Sequence, residues 1–504
     1  MRSEWMKLRS GSDIRGDAME HDGLQPLLTA ETAECVGYAF ALWLARRGDT
    51  TADKLTIAVG HDSRLTGPAL KDGIIKGLTA ADCDVLDCGL CTTPAMFMTT
   101  VQPETGCDGA VMITASHHPW YRNGFKLITR QGGLNGAEIA DILTAAMAVT
   151  LPQRLVKPCD FLSVYTERLA SMVRERLEDD ALKPLLGLHV VVDAGNGAGG
   201  FYAQFLSDLG AEVEGSQYLE PDGRFPNHIP NPEDKDAMAA VSRAVRENGA
   251  DLGVIFDTDC DRAAIVDEQG HEINRNRLIA LISAILLNEK PGQTIVTDSV
   301  TSSGLAKFIA EWGGVHYRFK RGYRNVIDEA IRLNEEGIEC PIAIETSGHA
   351  ALKENYFLDD GMYLVTRLIC EAMERKRQGL TLTSLLEGLA EPLESVEVRM
   401  NILEEDYRTA GQAVIETILS KTLEDAAWHL APDNREGVRI SFDLDGGVDN
   451  AWFLLRLSVH DPVMPLNAES DVKGGVQFML KALYELLEGS EELDLTPLKK
   501  LIEG

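Results

Sequence analysis

The sequence predicts an α/β protein that ends in a smaller α+β domain. Two observations predict this fold class. Short apolar runs alternate with helical patterns along most of the chain, and roughly the last hundred residues change to a pattern of antiparallel strands. A chain of 504 residues is also long enough for roughly three or four domains, each with its own core.

The α/β part is predicted from successive pairs of a strand and a helix. The apolar run "KLTIAVG" precedes a helix that we expect from about Pro68, and "CDVLDCG" precedes one after Pro94. "LHVVVDA" leads into a helix entered through glycines, and "QTIVTD" leads into "VTSSGLAKFIAEWG". This order predicts parallel strands joined by right-handed crossovers.

The last part of the chain predicts an antiparallel arrangement. "GVRISFDLD" and "NAWFLLRLSVHD" have the pattern of strands, and "GGVQFMLKALYELLEG" has that of a helix. Candidate boundaries fall in "LPQRLVKPCD", after "DEQG" and in "LAEPLESVE". We therefore expect four domains, at residues 1–155, 156–270, 271–388 and 389–504.

Composition limits the classes of partner. Hydrophobic residues make up 44% and charged residues 25% of the chain, as in globular proteins, and the net charge is -31. Nucleic acid and anionic membranes are disfavoured as partners because both attract basic surfaces, whereas phosphorylated small molecules are not. The chain has no apolar run of roughly 20 residues and no signal-peptide core, so we expect a cytoplasmic protein.

Nine cysteines fit that compartment as buried, reduced thiols. Cys83, Cys88 and Cys91 follow the C-x4-C-x2-C spacing of an iron–sulfur site, with Cys107 downstream. Strand alternation would send Cys83 and Cys88 to opposite faces, which argues against a cluster.

The segment "DTDCDR" places Asp257, Asp259 and Asp261 at alternate positions after an apolar run. In an extended or gently curved loop, alternate side chains leave on one side, so the three carboxylates can converge on a cation. A calcium loop would match Glu268 at its twelfth position, but Arg262 stands where that loop needs glycine. An exposed acidic turn and a magnesium site at the carboxyl end of a strand are the other interpretations; the latter would place a phosphate nearby.

The segment "VMITASHHPWYRNGFKL" provides a candidate for that phosphate. A strand delivers Ser116 to a loop with His117 and His118, and the Asn-Gly pair at 123–124 predicts a turn that returns Lys126. Ser116 could act as a nucleophile with His117 as base, although the pattern G-x-S-x-G is absent. It could instead cap a turn, or carry a phosphate that magnesium and Lys126 neutralise.

A third segment, "VVVDAGNGAGG", has the form of a dinucleotide-binding fingerprint. Gly195, Gly197 and Gly200 satisfy G-x-G-x-x-G after a strand, and Glu214 lies near the distance expected for a ribose-binding acid. Glycines also serve tight turns that bind nothing, so the pattern alone is weak evidence.

Taken together and in order, these segments resemble the α-D-phosphohexomutase family, and its phosphomannomutase/phosphoglucomutase branch in particular. "GSDIRG", "VGHDSR", "TTPAM" and "TASHHP" are similar to first-domain motifs, and "DAGNGAGG", "PDGRFPNHIPNPE" and "DTDCDR" to second-domain motifs. "ETSGHAALKENYFLDDGMY" resembles the sugar loop of the third domain, and "RLSVHDP" stands where the phosphate loop R-P-S-G-T-E-P is expected. The resemblance removes most of the support for dinucleotide binding.

The resemblance implies a four-domain architecture with three related α/β domains, mixed sheets and a smaller C-terminal α+β domain. It also implies that phosphorylated Ser116 gives its phosphate to a sugar monophosphate and regains one from the resulting 1,6-bisphosphate. Mg²⁺ is the implied cofactor, with hexose 1,6-bisphosphate as intermediate and activator. The implied partners are sugar phosphates, without nucleic acid or membrane, for a monomer or homodimer.

The resemblance also assigns roles to individual residues. The implied catalytic residues are Ser116, His117, Lys126, Arg15 and His349. The implied metal ligands are Ser116, Asp257, Asp259 and Asp261. The implied substrate-binding residues are Arg262, Lys320, Glu345, Ser347, His349, Arg456, Ser458 and His460.

The chain departs from the family pattern in its loops. Thr258 and Cys260 replace both glycines of the magnesium loop, so we expect its backbone to avoid conformations that only glycine tolerates. In the phosphate loop, Val459, His460 and Asp461 stand where glycine, threonine and glutamate are usual, and His460 is a candidate phosphate contact specific to this chain. Phosphoglucosamine mutase is the alternative within the family, and a non-catalytic sugar-phosphate-binding protein is the alternative from another class.

Overall fold

The computed structural model describes residues 2–149, 157–178, 182–458, 461–490 and 492–503. The backbone divides into two compact units. The first consists of Met1–Asn274 with Ser347–Ser384, and the second of Arg275–Thr346 with Leu385–Gly504. Within the described ranges, no helix is both long enough and apolar enough to cross a membrane.

The first sheet of the first unit is mixed, with the order β1-β2-β6-β5-β3-β4-β8 and β7 beside β6. Its strands are β1 Arg9–Ser10, β2 Asp13–Asp17, β3 Thr56–His61, β4 Asp84–Leu90, β5 Gly109–Ile113, β6 Arg122–Thr129, β7 Gly132–Gly133 and β8 Lys157–Pro158. The helices in this part are α1 Ala30–Arg47, α2 Gly67–Ala80, α3 Thr93–Met98 and α4 Gly136–Ala146. Strand β3 is parallel to β4 and β5, whereas β5 is antiparallel to β6.

The second sheet has the order β12-β11-β10-β9. Its strands are β9 Val190–Asp193, β10 Leu252–Phe256, β11 Ala263–Asp267 and β12 Glu272–Ile273, and the accompanying helices are α5 Phe161–Arg176, α6 Phe201–Asp208 and α7 Lys235–Asn248. Strand β10 is buried at every position, parallel to β9 and antiparallel to β11. The loop between β10 and β11 therefore starts from the interior of the sheet.

The next segment, in the second unit, has three parallel strands. These are β13 Thr294–Thr297, β14 Val315–Arg318 and β15 Ile342–Ile344, with helices α8 Arg275–Glu289, α9 Ser303–Glu311 and α10 Tyr323–Glu335. The chain then returns to the first unit with the antiparallel pair β16 Ala350–Leu352 and β17 Leu358–Asp359, followed by α11 Gly361–Arg377. Helix α11 lies beside β11.

The C-terminal part of the second unit is an antiparallel sheet with helices, in the order β18-β22-β21-β20-β19. Its elements are β18 Glu394–Asn401, α12 Tyr407–Glu424, β19 His429–Leu430, β20 Val438–Phe442, β21 Ala451–Leu455, β22 Val463–Ser470, α13 Gly475–Leu487 and α14 Thr496–Glu503. The predicted fold class, α/β layers with mixed sheets followed by an α+β part, is confirmed.

One local prediction is wrong. The Asn-Gly pair at 123–124 does not form a turn, because both residues lie within strand β6. A Cβ on Gly124 would lie 2.5 Å from the carbonyl oxygen of Ile14 and 2.7 Å from that of Thr114. The glycine is therefore needed for the close approach of neighbouring strands, and the turn that returns the chain consists of residues 116–121.

Candidate active site

The loop that carries Ser116 leaves strand β5 and returns in β6. Ser116 is only 3% exposed, and its backbone is left-handed, with φ of 52°. Such a conformation is uncommon for a residue other than glycine and persists where its surroundings hold it. The Ser116 Oγ donates a hydrogen bond of 2.9 Å to Asp257 Oδ2 and accepts one of 2.8 Å from Arg262 Nη2. The loop that carries Ser116 and the acidic loop thus meet within one unit.

The three aspartates of the acidic loop converge as the sequence predicts. Asp257, Asp259 and Asp261 are fully buried, and each offers a carboxylate oxygen within 4.8 Å of the other two. The Oδ1 atoms of Asp259 and Asp261 have no hydrogen-bond partner in the described part of the chain. Buried carboxylate oxygens that lack donors are suitable ligands for a hard divalent cation.

The backbone of this loop differs from the expectation. The loop is a tight turn instead of an extended segment, and Cys260 adopts φ of 66°, a region that favours glycine. The expectation that the loop avoids glycine-type conformations is therefore wrong at Cys260. The neighbouring glycine-rich loop supports the turn: Ala198 N donates a 2.8 Å hydrogen bond to Thr258 O, and a Cβ on Gly197 would lie 2.7 Å from that oxygen.

Burial and neighbouring charges shift the pKa values of the three carboxylates. Burial raises the pKa of Asp259 to about 7, and the neighbouring carboxylates of Asp261 and Asp257 add to the effect. Burial also raises the pKa of Asp257, while Arg262 opposes this. Although burial acts in the same direction on Asp261, Lys126 and His349 hold its pKa well below the ordinary value. A divalent cation would relieve this crowding of negative charge.

Two protein cations face the carboxylates directly. Lys126 Nζ donates a 2.6 Å hydrogen bond to Asp261 Oδ2 and lies 3.8 Å from Asp259 Oδ2. Arg262 donates to Asp257 Oδ2 at 2.8 Å through Nη2 and at 3.1 Å through Nε. Three buried carboxylates therefore face two side chains of fixed positive charge, which leaves room for a further cation.

His349 lies on the other side of Asp261. Its Nδ1 is 2.7 Å from Asp359 Oδ2 and 3.7 Å from Asp261 Oδ1. Burial acts to lower the pKa of His349, but the carboxylates of Asp359 and Asp261 raise it to about 9. The imidazole is thus held as a cation that can donate a proton within the site.

His117 is placed poorly for a base acting on Ser116. Its Nδ1 accepts a 2.8 Å hydrogen bond from Arg262 Nη2 and is 3.5 Å from Ser116 Oγ. Loss of solvation and the charge of Arg262 lower the pKa of His117, although the residue is partly open to solvent. Because Arg262 occupies Nδ1 and the imidazole is less basic than usual, His117 is a poor base for Ser116, which disfavours the hydrolase-like interpretation.

Arg15 lies at the edge of the same loop. It donates to Asp13 Oδ2 at 2.6 Å and to the carbonyl oxygen of Ala115 at 3.4 Å. The guanidinium thus contacts the residue that precedes Ser116. This position is suitable for balancing negative charge at the loop.

Two residues of this site were missed as participants by sequence reasoning. Thr93 donates from Oγ1 to Asp259 Oδ2 at 2.6 Å and from its backbone N to Asp259 O at 3.1 Å. Asp359, described above, is the ion-pair partner of His349. The segments "TTPAM" and "FLDDG" contained both residues, but only the fold brings them to the acidic loop.

Two of the predicted substrate-binding residues, Glu345 and Arg456, have polar neighbours within the second unit. Gly322 N donates a 2.5 Å hydrogen bond to the buried Glu345 Oε1, and Arg321 Nε lies 3.9 Å from Asp298 Oδ2. Arg456 is 6% exposed, and burial lowers its pKa. The charge of Arg321 lowers this pKa further, whereas the charges of Glu436 and Asp298 raise it.

The remaining predicted positions have varied surroundings. Lys320 is exposed, and Ser458 Oγ accepts a 3.3 Å hydrogen bond from Asp461 N. In the first unit, the buried Ser347 Oγ has no hydrogen-bond partner among the described residues. His460, with Val459, lies outside the described residues.

The fold and the site define a class of protein. A buried serine hydroxyl is hydrogen-bonded to a cluster of carboxylates that could hold a divalent cation, and basic side chains surround it. Such an arrangement suits phosphoryl transfer.

Comparisons with known proteins agree. Models of the phosphoglucomutase/phosphomannomutase alpha/beta/alpha domains I, II and III match residues 6–151, 163–270 and 274–393. A phosphomannomutase/phosphoglucomutase of Pseudomonas putida is 32% identical over 475 residues, which cover 93% of this chain and 94% of the relative. The chain belongs to the phosphoglucomutase/phosphomannomutase family, and the predicted family is confirmed.

Solved structures show the same fold. The crystal structure of a phosphoglucomutase/phosphomannomutase family protein from Burkholderia thailandensis has a TM-score of 0.78 and 26% identity, covering 96% of this chain and 98% of that one. The N-acetylphosphoglucosamine mutase of Aspergillus fumigatus, solved with GlcNAc-6P and magnesium, shares the fold with a TM-score of 0.53 and 13% identity, covering 88% of this chain and 79% of that one.

Proposed function

We propose that this chain is a magnesium-dependent phosphohexomutase that interconverts the 1-phosphate and the 6-phosphate of a hexose, mannose or glucose, through phosphorylated Ser116 and a hexose 1,6-bisphosphate. The observation that carries the proposal is the buried Ser116 Oγ, which lies 2.9 Å from Asp257 Oδ2 and 2.8 Å from Arg262 Nη2. Family membership supports a hexose phosphate mutase, and this contact supports Ser116 as the phosphoryl carrier.

Magnesium fits the donor set of Asp257, Asp259 and Asp261, with an oxygen of Ser116 as a further ligand. When bound, it supplies positive charge to the negative charge that develops in phosphoryl transfer. The fit depends on the unpartnered carboxylate oxygens of Asp259 and Asp261, since neither is satisfied by a donor in the described ranges.

The protein groups around Ser116 have distinct roles in the proposed reaction. Arg262 donates to the hydroxyl oxygen and therefore stabilises negative charge on that atom. Lys126 holds Asp261 in its ionised form, since its ammonium donates to that carboxylate. His349, held as a cation by Asp359, is the candidate acid for a sugar oxygen, with Arg15 balancing charge at the loop.

Substrate recognition is proposed for residues of the second unit and for the sugar loop. Glu345 and Ser347 would bind sugar hydroxyls, and Arg456 with Ser458 would hold the phosphate that is not transferred, with Lys320 and His460 as further contacts. Arginine suits this role because its planar fork binds two phosphate oxygens at once. A cytoplasmic location, a monomer or homodimer, and the four domain boundaries remain predictions of the sequence.

A coupled assay tests the proposal. Protein that carries one phosphate by intact mass, placed on Ser116 by peptide mass mapping, is given glucose 1-phosphate, mannose 1-phosphate or glucosamine 1-phosphate, with Mg²⁺ and a trace of hexose 1,6-bisphosphate. We expect turnover of the glucose or mannose compound, and preference for glucosamine would point to the alternative within the family. Turnover of none of the three would refute the proposal.

Substitution of the serine tests the assigned carrier. Ser116→Ala should fold normally, gain no phosphoryl group from the bisphosphate and lose activity, because the attacking oxygen is removed. The control is Ser171→Ala, which removes a helical hydroxyl that bonds only locally to Glu167 O in the described contacts. Equal phosphorylation of Ser116→Ala and the control would show that another residue carries the phosphoryl group.

A further inference from the structure

The loop that carries Ser116 is built around one buried arginine. Arg64, of the segment "VGHDSR", is 1% exposed and lies just before helix α2. Its Nη1 donates 2.9 Å hydrogen bonds to the carbonyl oxygens of Pro119 and Arg122, and its Nη2 donates to those of Ser116 and His118, the latter at 2.6 Å. One guanidinium therefore binds four carbonyl groups of one loop.

The two terminal nitrogens of a guanidinium carry four N–H groups in a fixed plane, which matches these four acceptors. The position of the guanidinium is also fixed by its surroundings. Asp62 lies on the Nε side at 3.4 Å and accepts from Arg64 N at 2.9 Å. The ring of Phe225 lies 5.3 Å from the guanidinium carbon. Arg64 is thus a rigid part on which the loop is arranged.

The consequence for Ser116 concerns its backbone. The left-handed φ of 52° is held from both sides, because Ser116 N donates a 2.9 Å hydrogen bond to Thr114 Oγ1 and Ser116 O accepts from Arg64. A strained backbone conformation persists only when its neighbours over-determine it. The direction of the Ser116 hydroxyl toward Asp257 therefore depends on Arg64.

We propose that Arg64 is a positioning residue for phosphoryl transfer: it holds the loop so that Ser116 Oγ faces Asp257 and Arg262. The inference rests on the proposed function of Ser116. It adds Arg64, whose guanidinium donates to backbone carbonyls of the loop and, in the described contacts, to neither the Ser116 hydroxyl nor the three aspartates. Lysine cannot replace it, because an ammonium presents three donors from one point instead of four from a planar fork.

The variant Arg64→Lys tests the inference, with Arg130→Lys as the matched control. Arg130 also donates to a backbone carbonyl, that of Thr100, at 3.1 Å, but not to the Ser116 loop. In Arg64→Lys, we expect kcat to fall by about 10²-fold, as for a small misplacement of a reacting group, with KM unchanged. Arg130→Lys should retain both constants.

Hydrogen exchange provides a readout that needs no activity. In Arg64→Lys, the amides of residues 115–118 and 120–122 should exchange roughly tenfold faster, while the rest of the first unit exchanges as in the wild type. Wild-type kcat and wild-type loop exchange in Arg64→Lys would overturn the inference. Faster exchange throughout the unit would also overturn it, because the arginine would then be merely structural.

A milder variant covers the case in which Arg64→Lys does not fold. Phe225→Leu leaves the guanidinium and its four acceptors in place but removes the ring that covers them, so loop exchange should rise and kcat should fall by less than in the lysine variant. No change in either measurement would overturn the inference. If the wild-type protein itself shows no mutase activity, the proposed function fails, whereas the exchange result still tests the role of Arg64 in the loop.

Discussion

Ser116 and Asp257 are 141 positions apart in the chain, and the hydroxyl of the one donates a hydrogen bond of 2.9 Å to the carboxylate of the other. The contact joins the segments that follow two buried strands, β5 and β10, where the proposed function places a phosphoserine beside a divalent cation. Three predictions concern residues near this contact, and a fourth concerns a buried carboxylate of the second unit.

The first prediction concerns Lys126, whose ammonium is 2.6 Å from Asp261. In Lys126→Met, activity should fall by at least about 10²-fold, because the positive charge beside the carboxylates of Asp261 and Asp259 is lost. The metal-free variant should also lose about 3–5 kcal/mol of unfolding free energy, because a buried carboxylate loses its partner. Urea unfolding and the mutase assay measure these effects.

The control for this prediction is Lys71→Met. Lys71 forms an ion pair of the same length, 2.6 Å, with Asp87, but the pair is partly exposed and distant from the acidic loop in sequence. The control should retain activity and lose about 0–1 kcal/mol. Similar losses in both variants would show that Lys126 contributes only as an ordinary ion pair.

The second prediction concerns Asp259→Asn. Titration calorimetry should show Mg²⁺ affinity reduced by more than about tenfold, since loss of even an outer partner of a metal site costs that much. In metal-free protein, the same variant should be more stable than the wild type, because one of three crowded buried carboxylates becomes neutral.

Glu268→Gln is the control for the metal prediction. Glu268 occupies the twelfth position of the calcium-loop alternative, so a calcium loop would lose affinity in this variant. We expect unchanged Mg²⁺ binding. Weaker binding in Glu268→Gln than in Asp259→Asn would contradict the assignment of the three aspartates.

The third prediction concerns the strained backbone at Cys260, where φ is 66°. Cys260→Gly should be more stable than Cys260→Ala by about 1 kcal/mol, because the left-handed conformation disfavours a Cβ. Thermal unfolding of the two variants measures the difference. Cys340 is buried but has no left-handed backbone. There, Cys340→Ala should be more stable than Cys340→Gly. The same order at both positions would remove strain as the cause.

The fourth prediction is a pH dependence of stability in the second unit. Burial raises the pKa of Glu469 to about 7, while Arg439 and Arg318 act to lower it and Asp471 to raise it. In the unfolded chain the pKa is about 4.3. Between these values the folded protein binds more protons than the unfolded one, so stability should fall as the pH rises through this window.

Glu469→Gln isolates this effect. The amide is neutral at every pH, so the variant should gain stability relative to the wild type as the pH rises from about 5 to about 8. Thermal unfolding across this range measures the difference. A constant difference between the two proteins would mean that Glu469 titrates at its ordinary value.

Much of the site could be predicted from the sequence because its chemistry lies in short segments. The three aspartates of "DTDCDR" and the serine of "TASHHP" come shortly after apolar strands, so both segments could be placed at the ends of strands from the sequence. Asp359 and Thr93 could not be assigned, because only the folded contacts show that they pair with His349 and Asp259.

The sequence by itself determined the alternation of strands and helices, the change to an antiparallel C-terminal part, and the residue types of the site, because periodicity and motifs are local. Only the tertiary structure decided that Cys260 adopts a left-handed backbone, that the Asn-Gly pair at 123–124 lies in a strand, and that Arg64 binds four carbonyl groups of the Ser116 loop. The physical reason is common to the three. Each depends on contacts between segments far apart in the chain, and such contacts override local preference where a buried polar group must find its partner.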